Sequence, residues 1–332
     1  MNKLQQNLNE FKLNTKMVVA VIVTLALFLT SGFLMSLCFI AEGFSAIGML
    51  DGGNSGGGSG GGGGGSSLGG GNSTVNKPPI TSNSQPGAKT GIVLPCATPA
   101  GNYLSSPDEN TKNISSDTEI KSGAAVLVDM TDGVVVAGKN ADTKIYPASM
   151  TKVMTLLVAC ENAKDPNALL TVTKQLVDEY NKPVNKGASV AKTWLEGDQV
   201  TVEDALNLVI YESDTVACWL LAEYIAGGES QFVQMMNTKA SSMGLKGTHF
   251  TNCTGLFNAD HYTTCREMAA IMAAAMNNES AKKVLTSKSL YTVDVYNNGE
   301  KVSDISMWSA WYTGRLESNK LSGVAAHYVG GG

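Results

Sequence analysis

The chain has 332 residues, enough for one large domain or two ordinary ones, and a formal net charge of −5. This charge, with no Lys/Arg cluster after residue 17, argues against nucleic-acid binding. The six cysteines include no C-x-x-C spacing, so a zinc cluster is not expected.

The first predicted element is an apolar run over residues 17–41, MVVAVIVTLALFLTSGFLMSLCFIA. As a helix it would rise roughly 37 Å, enough to cross the core of a bilayer. Lys3, Lys12 and Lys16 precede it, which predicts that residues 1–16 stay in the cytoplasm. We therefore predict a single-pass anchor in the cell membrane, with the rest of the chain outside the cytoplasm. A cleaved signal peptide, which usually has a shorter apolar core, is the alternative.

A segment of biased composition follows this run. Residues 52–71 are nearly all Gly and Ser, and sequence rich in Pro, Ser, Thr and Asn continues through Pro107. Because such a segment cannot build a core, we predict a flexible tether over residues 42–117. A Gly-rich coil of this length has a root-mean-square reach of roughly 40–50 Å. The tether would hold a folded domain, residues 118–332, away from the membrane.

That domain is predicted to have mixed secondary structure. Residues 124–129 and 134–137 are short apolar strands separated by Thr131-Asp132-Gly133, a hairpin signal. Helices are predicted over residues 149–160, 202–210, 215–225, 232–243 and 264–276, and a further strand over residues 290–296. We expect an α+β class, in which a helical cluster is inserted after an initial hairpin.

The most informative motif is Ser149-x-x-Lys152, at the start of the first predicted helix of the domain. Two helical residues three apart face the same side, one turn apart. Burial would lower the pKa of the lysine, so that a neutral amine could take the proton of a serine nucleophile. The spacings Ser189-x-x-Lys192 and Ser280-x-x-Lys283 lack this context, and we interpret both as surface coincidences.

Residues 124–159, 195–227 and 232–269 resemble the D-alanyl-D-alanine carboxypeptidases, the low-molecular-weight penicillin-binding proteins. The resemblance covers about 150 residues in the same order and includes Ile145-Tyr146-Pro147-Ala148-Ser149-Met150-Thr151-Lys152. It implies a β-lactamase/transpeptidase-like fold, an antiparallel sheet with an inserted helical cluster. It also implies a serine peptidase that needs no cofactor or metal.

The resemblance assigns roles to four residues. Ser149 resembles the nucleophile, Lys152 the general base, and Ser213 the second-motif serine that relays a proton to the leaving amine. The third position of that motif is Asn in the family, where it helps hold the lysine and the substrate amide. Here it is Thr215, a substrate-binding candidate with a shorter side chain and one donor instead of two. Altered activity would follow.

The third motif of the family, K-T-G, has no counterpart at the expected place. Lys89-Thr90-Gly91 spells it within the tether, before the nucleophile, and is interpreted as a decoy. Tyr312-Thr313-Gly314-Arg315 lies on the correct side but lacks the lysine. The C-terminal strands of the family fold would then also be missing, which leaves the hairpin at 124–137 with an unpaired edge and an uncovered apolar face. We expect a part of a longer protein; a short, inactive relative is the alternative.

The remaining polar residues give weaker signals. His249, His261 and His327 are scattered, and a structural or pocket-wall role is expected for the first two. Glu203 imitates the deacylating glutamate of class A β-lactamases but precedes the second motif, so an ordinary helix is predicted there. Cys160 with Cys218, or Cys253 with Cys265, could pair in an oxidising compartment, and free thiols are equally expected.

These expectations combine into one functional hypothesis. The chain would be a membrane-anchored, extracytoplasmic serine D-Ala-D-Ala carboxypeptidase that trims peptidoglycan stem peptides and is acylated by β-lactam antibiotics on Ser149. The alternatives are a non-catalytic wall-binding or regulatory relative of the same fold, which Thr215 and the absent third motif favour, and a β-lactamase.

Overall fold

The computed structural model describes residues 18–25, 36–39, 89–118, 120–287 and 289–307. Residues 1–16, residues 42–88 of the predicted tether, Tyr312-Thr313-Gly314-Arg315 and His327 lie outside the described residues. Nine strands are assigned within the described ranges: β1 Val18–Leu25, β2 Ser36–Phe39, β3 Ser106–Asn113, β4 Ala124–Asp129, β5 Val134–Lys139, β6 Leu169–Thr171, β7 Gln199–Thr201, β8 Tyr291–Asn297 and β9 Glu300–Met307.

Seven α-helices are assigned in the same ranges: α1 Thr151–Asn162, α2 Lys174–Tyr180, α3 Val202–Tyr211, α4 Thr215–Ala226, α5 Glu229–Ser242, α6 Cys265–Asn277 and α7 Glu279–Thr286. The predicted helices correspond to α1, α3, α4, α5 and α6, with ends shifted by a few residues. Side chains cap several of them: the Thr201 hydroxyl accepts from the Asp204 N–H, and the Thr264 hydroxyl accepts from the Glu267 N–H. Gly227, with φ +75°, ends α4.

Helix α1 is the centre of the helical cluster. All ten residues from Thr151 to Cys160 are buried, which is the burial expected of a helix surrounded on every side. Helices α3, α4, α5, α6 and α7 pack around it. The start of α1 is therefore held by much of the domain, and this is where the predicted nucleophile lies.

The first sheet has the order β2-β1-β4-β5-β3. The predicted hairpin is present as β4 and β5, and its turn includes Gly133 with φ +71°. Strand β4 is buried on both faces: Ala124, Val126 and Val128 join the main core, whereas its two alternate residues pack with Ile114 and Ile120. The segment before the hairpin therefore covers the apolar face that was expected to be bare.

Both edges of the hairpin are also paired, which differs from the predicted open edge. Strand β3 pairs with β5, and this pairing is parallel, so the sheet is not purely antiparallel. On the other side, β1 pairs antiparallel with β4, with Val18 opposite Asp129. The segment before the hairpin and the N-terminal run thus take the edge positions.

The residues predicted as a transmembrane helix are strands where the structure describes them, Val18–Leu25 and Ser36–Phe39. Six of the eight residues of β1 are Val, Ile or Thr, whose branched side chains favour extended backbone. An unpaired β4 edge offers such a segment a ladder of hydrogen bonds. Among the described residues, none of the helices has the length and apolar character needed to cross a membrane.

A second sheet has the order β6-β7-β8-β9 and packs against α3 and α4, whereas the first sheet packs against α6. Strand β8 corresponds to the strand predicted over residues 290–296, and its alternate residues Tyr291, Val293 and Val295 are buried. Strands β6 and β7 have three residues each, too few to show a periodic pattern.

The folded domain begins earlier than predicted. Residues 89–105, here called the strap, lie against the helices instead of belonging to a free tether. The Thr90 N–H donates to Glu203 Oε1 (2.7 Å), and the Cys96 N–H donates to the Cys160 carbonyl (2.8 Å). At its end, Arg266 Nη1 donates to the Ser105 carbonyl (3.2 Å). Because the strap makes these contacts mostly with backbone atoms, no side-chain pattern in the sequence indicated them.

Candidate active site

The predicted nucleophile and base are adjacent in the structure. Ser149 lies in a 3-10 turn, Ala148–Met150, and Lys152 lies in the first turn of α1. Lys152 Nζ is 3.3 Å from Ser149 Oγ, a hydrogen-bond distance. The three-residue spacing places both side chains on one side of the helix start, as predicted.

Lys152 is buried, with 4% of its surface exposed. Burial, the largest effect, lowers the pKa of its ammonium, because the charged form loses its hydration. The neighbouring Cys218, Cys253 and Asp214 oppose this shift. The net direction favours a neutral amine, which is the form that can accept a proton from a serine.

A second contact orients this amine. Lys152 Nζ donates to the carbonyl of Thr254 (2.6 Å). Thr254 lies in a tight turn in which Asn252 Oδ1 accepts from the N–H groups of Thr254 (3.1 Å) and Gly255 (2.7 Å). If one N–H of the amine is given to Thr254, its lone pair is free to face Ser149. Sequence reasoning assigned no role to Asn252 or Thr254.

Gly255 brings this turn against the nucleophile. Its φ is +86°, a conformation that favours glycine. A Cβ on Gly255 would overlap the carbonyl group of Ala148 and would lie 3.0 Å from the Ser149 N–H nitrogen. The turn therefore packs directly on the backbone that carries the nucleophile. The signal available in the sequence was the run Asn252-Cys253-Thr254-Gly255, a typical turn composition.

Ser213 completes the group. It lies between α3 and α4, and its hydroxyl donates to Ser149 Oγ (3.0 Å). Ser149 Oγ is thus placed between the Lys152 amine and the Ser213 hydroxyl. The resemblance stated from the sequence named Ser213, but no local pattern could have shown that it meets Ser149 in space.

The backbone is strained on both sides of the nucleophile. Ala148 (φ 47°) and Ser213 (φ 53°) are two of four non-glycine residues with positive φ in the described ranges. The other two are Asn140 and Asn298, a residue type that tolerates this conformation. Strain of this kind costs on the order of 1–3 kcal/mol and tends to cluster at functional sites. It is a mark of the site that does not depend on the motif.

Asp214 fixes the segment that presents Ser213. Its carboxylate accepts from the Ala217 N–H (2.8 Å), which caps α4, and from Ala191 N–H (2.7 Å) and Trp194 Nε1 (3.0 Å). Burial raises the pKa of this carboxyl, and the three hydrogen bonds oppose the shift, as does the charge of Lys152. Asp214 thereby ties α4 to the loop before β7.

Thr215 is the one predicted site residue that is not joined to the group. It begins α4 and is buried, and its N–H donates to the Ser189 carbonyl (2.9 Å). Among the described residues, its hydroxyl makes no hydrogen bond to Ser149 or Lys152. Its shorter side chain does not replace the contacts that an asparagine amide could make from this position.

Lys89-Thr90-Gly91 lies away from the nucleophile. Lys89 pairs with Asp204, and both Thr90 and Gly91 donate to Glu203, at the first turn of α3. Ser213 follows the opposite end of that helix, whose ten residues rise roughly 15 Å. The motif is a docking contact of the strap, consistent with its interpretation as a decoy. The carboxylate of Glu203 accepts these hydrogen bonds from the strap and does not lie at the nucleophile.

His261 supports the start of α1. Its Nδ1 accepts from the Thr251 N–H (3.1 Å), so Nε2 carries the hydrogen and donates to Thr151 Oγ1 (2.7 Å). Burial, aided by His249, lowers the pKa of His261 to about 4. It is therefore a neutral positioning residue. In the part of the chain that the structure describes, no group of three or more His, Cys, Asp or Glu side chains could hold a metal ion.

Comparisons with known proteins identify a family whose members are similar to this chain. A family model described as D-alanyl-D-alanine carboxypeptidase matches residues 110–310. D-alanyl-D-alanine carboxypeptidase DacF of Bacillus subtilis is 36% identical over 161 residues, 48% of this chain and 40% of the relative. The corresponding DacD of Escherichia coli is 37% identical over 166 residues, 48% of this chain and 42% of the relative. The chain therefore spans about two fifths of the length of these relatives.

Solved structures extend the likeness to the fold. One variant of the Streptomyces K15 DD-transpeptidase matches with a TM-score of 0.56 and 27% identity, and the match covers 63% of this chain and 80% of that one. A second variant matches with a TM-score of 0.53 and 28% identity, over 59% of this chain and 76% of that one. The described domain thus has the α+β, β-lactamase/transpeptidase-like fold.

Proposed function

The chain belongs to the D-alanyl-D-alanine carboxypeptidase family, and we propose that it is a serine peptidase that removes the terminal D-Ala from peptidoglycan stem peptides. One observation carries the proposal. Ser149 Oγ lies 3.3 Å from a buried lysine amine and 3.0 Å from the Ser213 hydroxyl. A hydroxyl with a buried amine of lowered pKa on one side and a second hydroxyl on the other is arranged for acyl transfer.

The first half of the reaction follows from these contacts. The Lys152 amine takes the proton of the Ser149 hydroxyl while Oγ attacks the carbonyl carbon between the two D-Ala residues. The Thr254 carbonyl holds the resulting ammonium through the 2.6 Å hydrogen bond. The positive end of helix α1 lies beside the attacking oxygen and favours its negative charge.

The second half returns the proton. As the tetrahedral intermediate collapses, the C–N bond breaks, and the leaving amine of D-Ala needs a proton. Ser213 can relay to it the proton that Lys152 took up, because the Ser213 hydroxyl touches Ser149 Oγ and so lies beside the departing group. Water then attacks the ester on Ser149 while Lys152 accepts a proton from it, and Lys152 returns this proton to Ser149 Oγ as the acyl C–O bond breaks. β-lactams would form the same ester by opening their ring.

Release of D-Ala from a synthetic peptide ending in D-Ala-D-Ala tests the proposal. The full-length protein should release D-Ala, and Ser149→Ala should abolish release. Ser241→Ala, on the exposed face of α5, is the matched control and should leave the rate unchanged. Equal activity of Ser149→Ala and the wild type would contradict the proposal.

The position of Thr215 favours a second candidate function, a non-catalytic wall-binding relative. Its hydroxyl does not reach Lys152 or Ser149 among the described residues, so one family contact to the lysine is absent. This candidate predicts that the full-length protein binds muropeptides but releases no D-Ala. Restoring the amide in Thr215→Asn should then create or increase D-Ala release, whereas an active enzyme would already show it.

The cellular location is a separate proposal. We propose that the domain works outside the cell membrane, anchored by residues 17–41. The support is the apolar composition of these residues, the lysines before them and the Gly/Ser-rich sequence after them. Pairing of Val18–Leu25 with β4 is the competing arrangement, since the same residues cannot do both. Retention in membranes after alkaline carbonate extraction is expected, and complete release would contradict an anchor.

A further inference from the structure

The strap crosses the far end of α1 at a pair of cysteines. The Cys96 N–H donates to the Cys160 carbonyl at 2.8 Å. Residues that exchange backbone hydrogen bonds in antiparallel strands have Cα atoms about 5.5 Å apart, and one such bond brings Cys96 and Cys160 into the same neighbourhood. Disulfides need a Cα separation of about 4.4–6.8 Å. The backbone contact therefore places the two cysteines where a disulfide could join them.

The surroundings hold Cys96 in that place. Asn278 Nδ2 donates to the Cys96 carbonyl (2.6 Å) and to Thr98 Oγ1 (3.1 Å), while Asn278 itself caps α7. Cys160 is fully buried, and Cys96 is partly exposed. Burial, with smaller effects of Cys96 and Glu161, raises the pKa of the Cys160 thiol, so the two thiols are electrostatic neighbours.

We propose that Cys96 and Cys160 are a disulfide site that locks the strap onto helix α1. Both cysteines are thiols in this structure. The sequence suggested other pairs, Cys160 with Cys218 or Cys253 with Cys265, and residues 89–105 were assigned to a free tether. The strap contact gives Cys160 a different partner.

The chemistry is a thiol–disulfide exchange with an external disulfide oxidant, such as oxidised glutathione or an exported dithiol oxidase. The partly exposed Cys96, as its thiolate, attacks the oxidant and forms a mixed disulfide, releasing one thiol. Cys160 then loses its proton and attacks the Cys96 sulfur, which releases the second thiol. Two electrons and two protons pass to the oxidant, which is reduced to two thiols.

The disulfide would stabilise the domain without changing its chemistry. It closes a loop of roughly 60 residues, which should raise Tm by roughly 5–15 °C. Cys160 follows Ser149 by about three helical turns, roughly 16 Å. The D-Ala release rate should therefore be the same in the oxidised and reduced protein. This inference does not rest on the proposed function, because its test reads a crosslink.

The experiment maps the crosslink. The full-length protein is incubated with oxidised glutathione, alkylated under denaturing, non-reducing conditions and digested with trypsin. We expect peptide 90–112, which contains Cys96, linked to peptide 153–164, which contains Cys160. Cys96→Ser should remove this linked peptide and the Tm difference between oxidised and reduced protein. Cys218→Ser, the matched control, should keep both.

Two results would overturn the proposal. One is complete alkylation of both Cys96 and Cys160 after oxidation of the folded protein. The other is a Cys160 crosslink to Cys218 in place of Cys96. Because Cys96 is only partly buried, Cys96→Ser should fold, and its Tm in the reduced state should match that of the reduced wild type.

Discussion

Replacing Gly255 with alanine should slow acylation of Ser149. The effect should exceed that of alanine at any other described glycine with a similar positive φ. The new Cβ would overlap the Ala148 carbonyl and crowd the Ser149 nitrogen at 3.0 Å. To relieve the overlap, the turn at residues 252–255 and the 3-10 turn at Ala148–Met150 must separate by a distance on the order of 1 Å. A misplacement of that size costs about 10²-fold in rate when it moves reacting groups.

The structure offers a matched control for the backbone effect alone. Gly244 has φ +74°, close to the +86° of Gly255, and a Cβ there would meet no atom within 4 Å. Gly244→Ala should therefore cost about 1–2 kcal/mol of unfolding free energy, the penalty of the left-handed conformation. Gly255→Ala should cost a further amount of about 1–3 kcal/mol from overpacking.

The assay compares both variants with the wild type by urea unfolding and by the rate of acylation with a fluorescent penicillin. Gly244→Ala should acylate at the wild-type rate, and Gly255→Ala roughly 10²-fold more slowly. Equal acylation rates for the two variants would refute the reasoning, because the contact between the turn and Ala148 would then not position Ser149.

Three further predictions concern the surroundings of Ser149. Lys152→Arg should slow acylation roughly 10²–10⁴-fold in the same assay, because a guanidinium cannot become a neutral base; an unchanged rate would exclude Lys152 as the base. Asn252→Ala removes the acceptor that shapes the turn, so Thr254 should no longer hold the amine, and the pKa seen in the pH profile of acylation should shift; an identical profile would contradict this role. The pKa of His261 is lowered from 6.5 to about 4, so the unfolded state takes up a proton first as pH falls, and stability is lost between about pH 6.5 and 4. The free energy of unfolding should fall by about 3 kcal/mol over this pH range. Urea unfolding should show no such fall in His261→Gln. The control His249→Asn, a change at an exposed histidine, should keep it.

The helical part of the fold could be predicted because its signals are local. Caps such as Thr264 and the stop at Gly227 lie next to the helices they end, and the apolar residues of α6 repeat at helical spacing. The Ser149–Lys152 pair was predictable for the same reason. Ser213 required a resemblance to a family, since 64 residues separate it from its partner.

What could not be predicted depends on contacts between distant segments. Thr254 meets Lys152 across 102 residues, and Thr90 meets Glu203 across 113. Neither contact uses a hydrophobic pattern, because each is made by backbone atoms of irregular segments. The apolar run was predicted as a helix from its composition alone. Composition does not show that β1 can pair with the edge of β4.

The central claim is that Lys152 makes Ser149 a nucleophile, and peptide mapping after incubation with benzylpenicillin tests it most directly. The full-length protein, stopped within the lifetime of the acyl-enzyme and digested with trypsin, should carry one penicilloyl group on peptide 145–152, at Ser149. The labelling rate should rise with pH through a pKa below the usual 10.5 of lysine. A label on another serine, or an unmodified peptide 145–152 at saturating penicillin, would contradict the account.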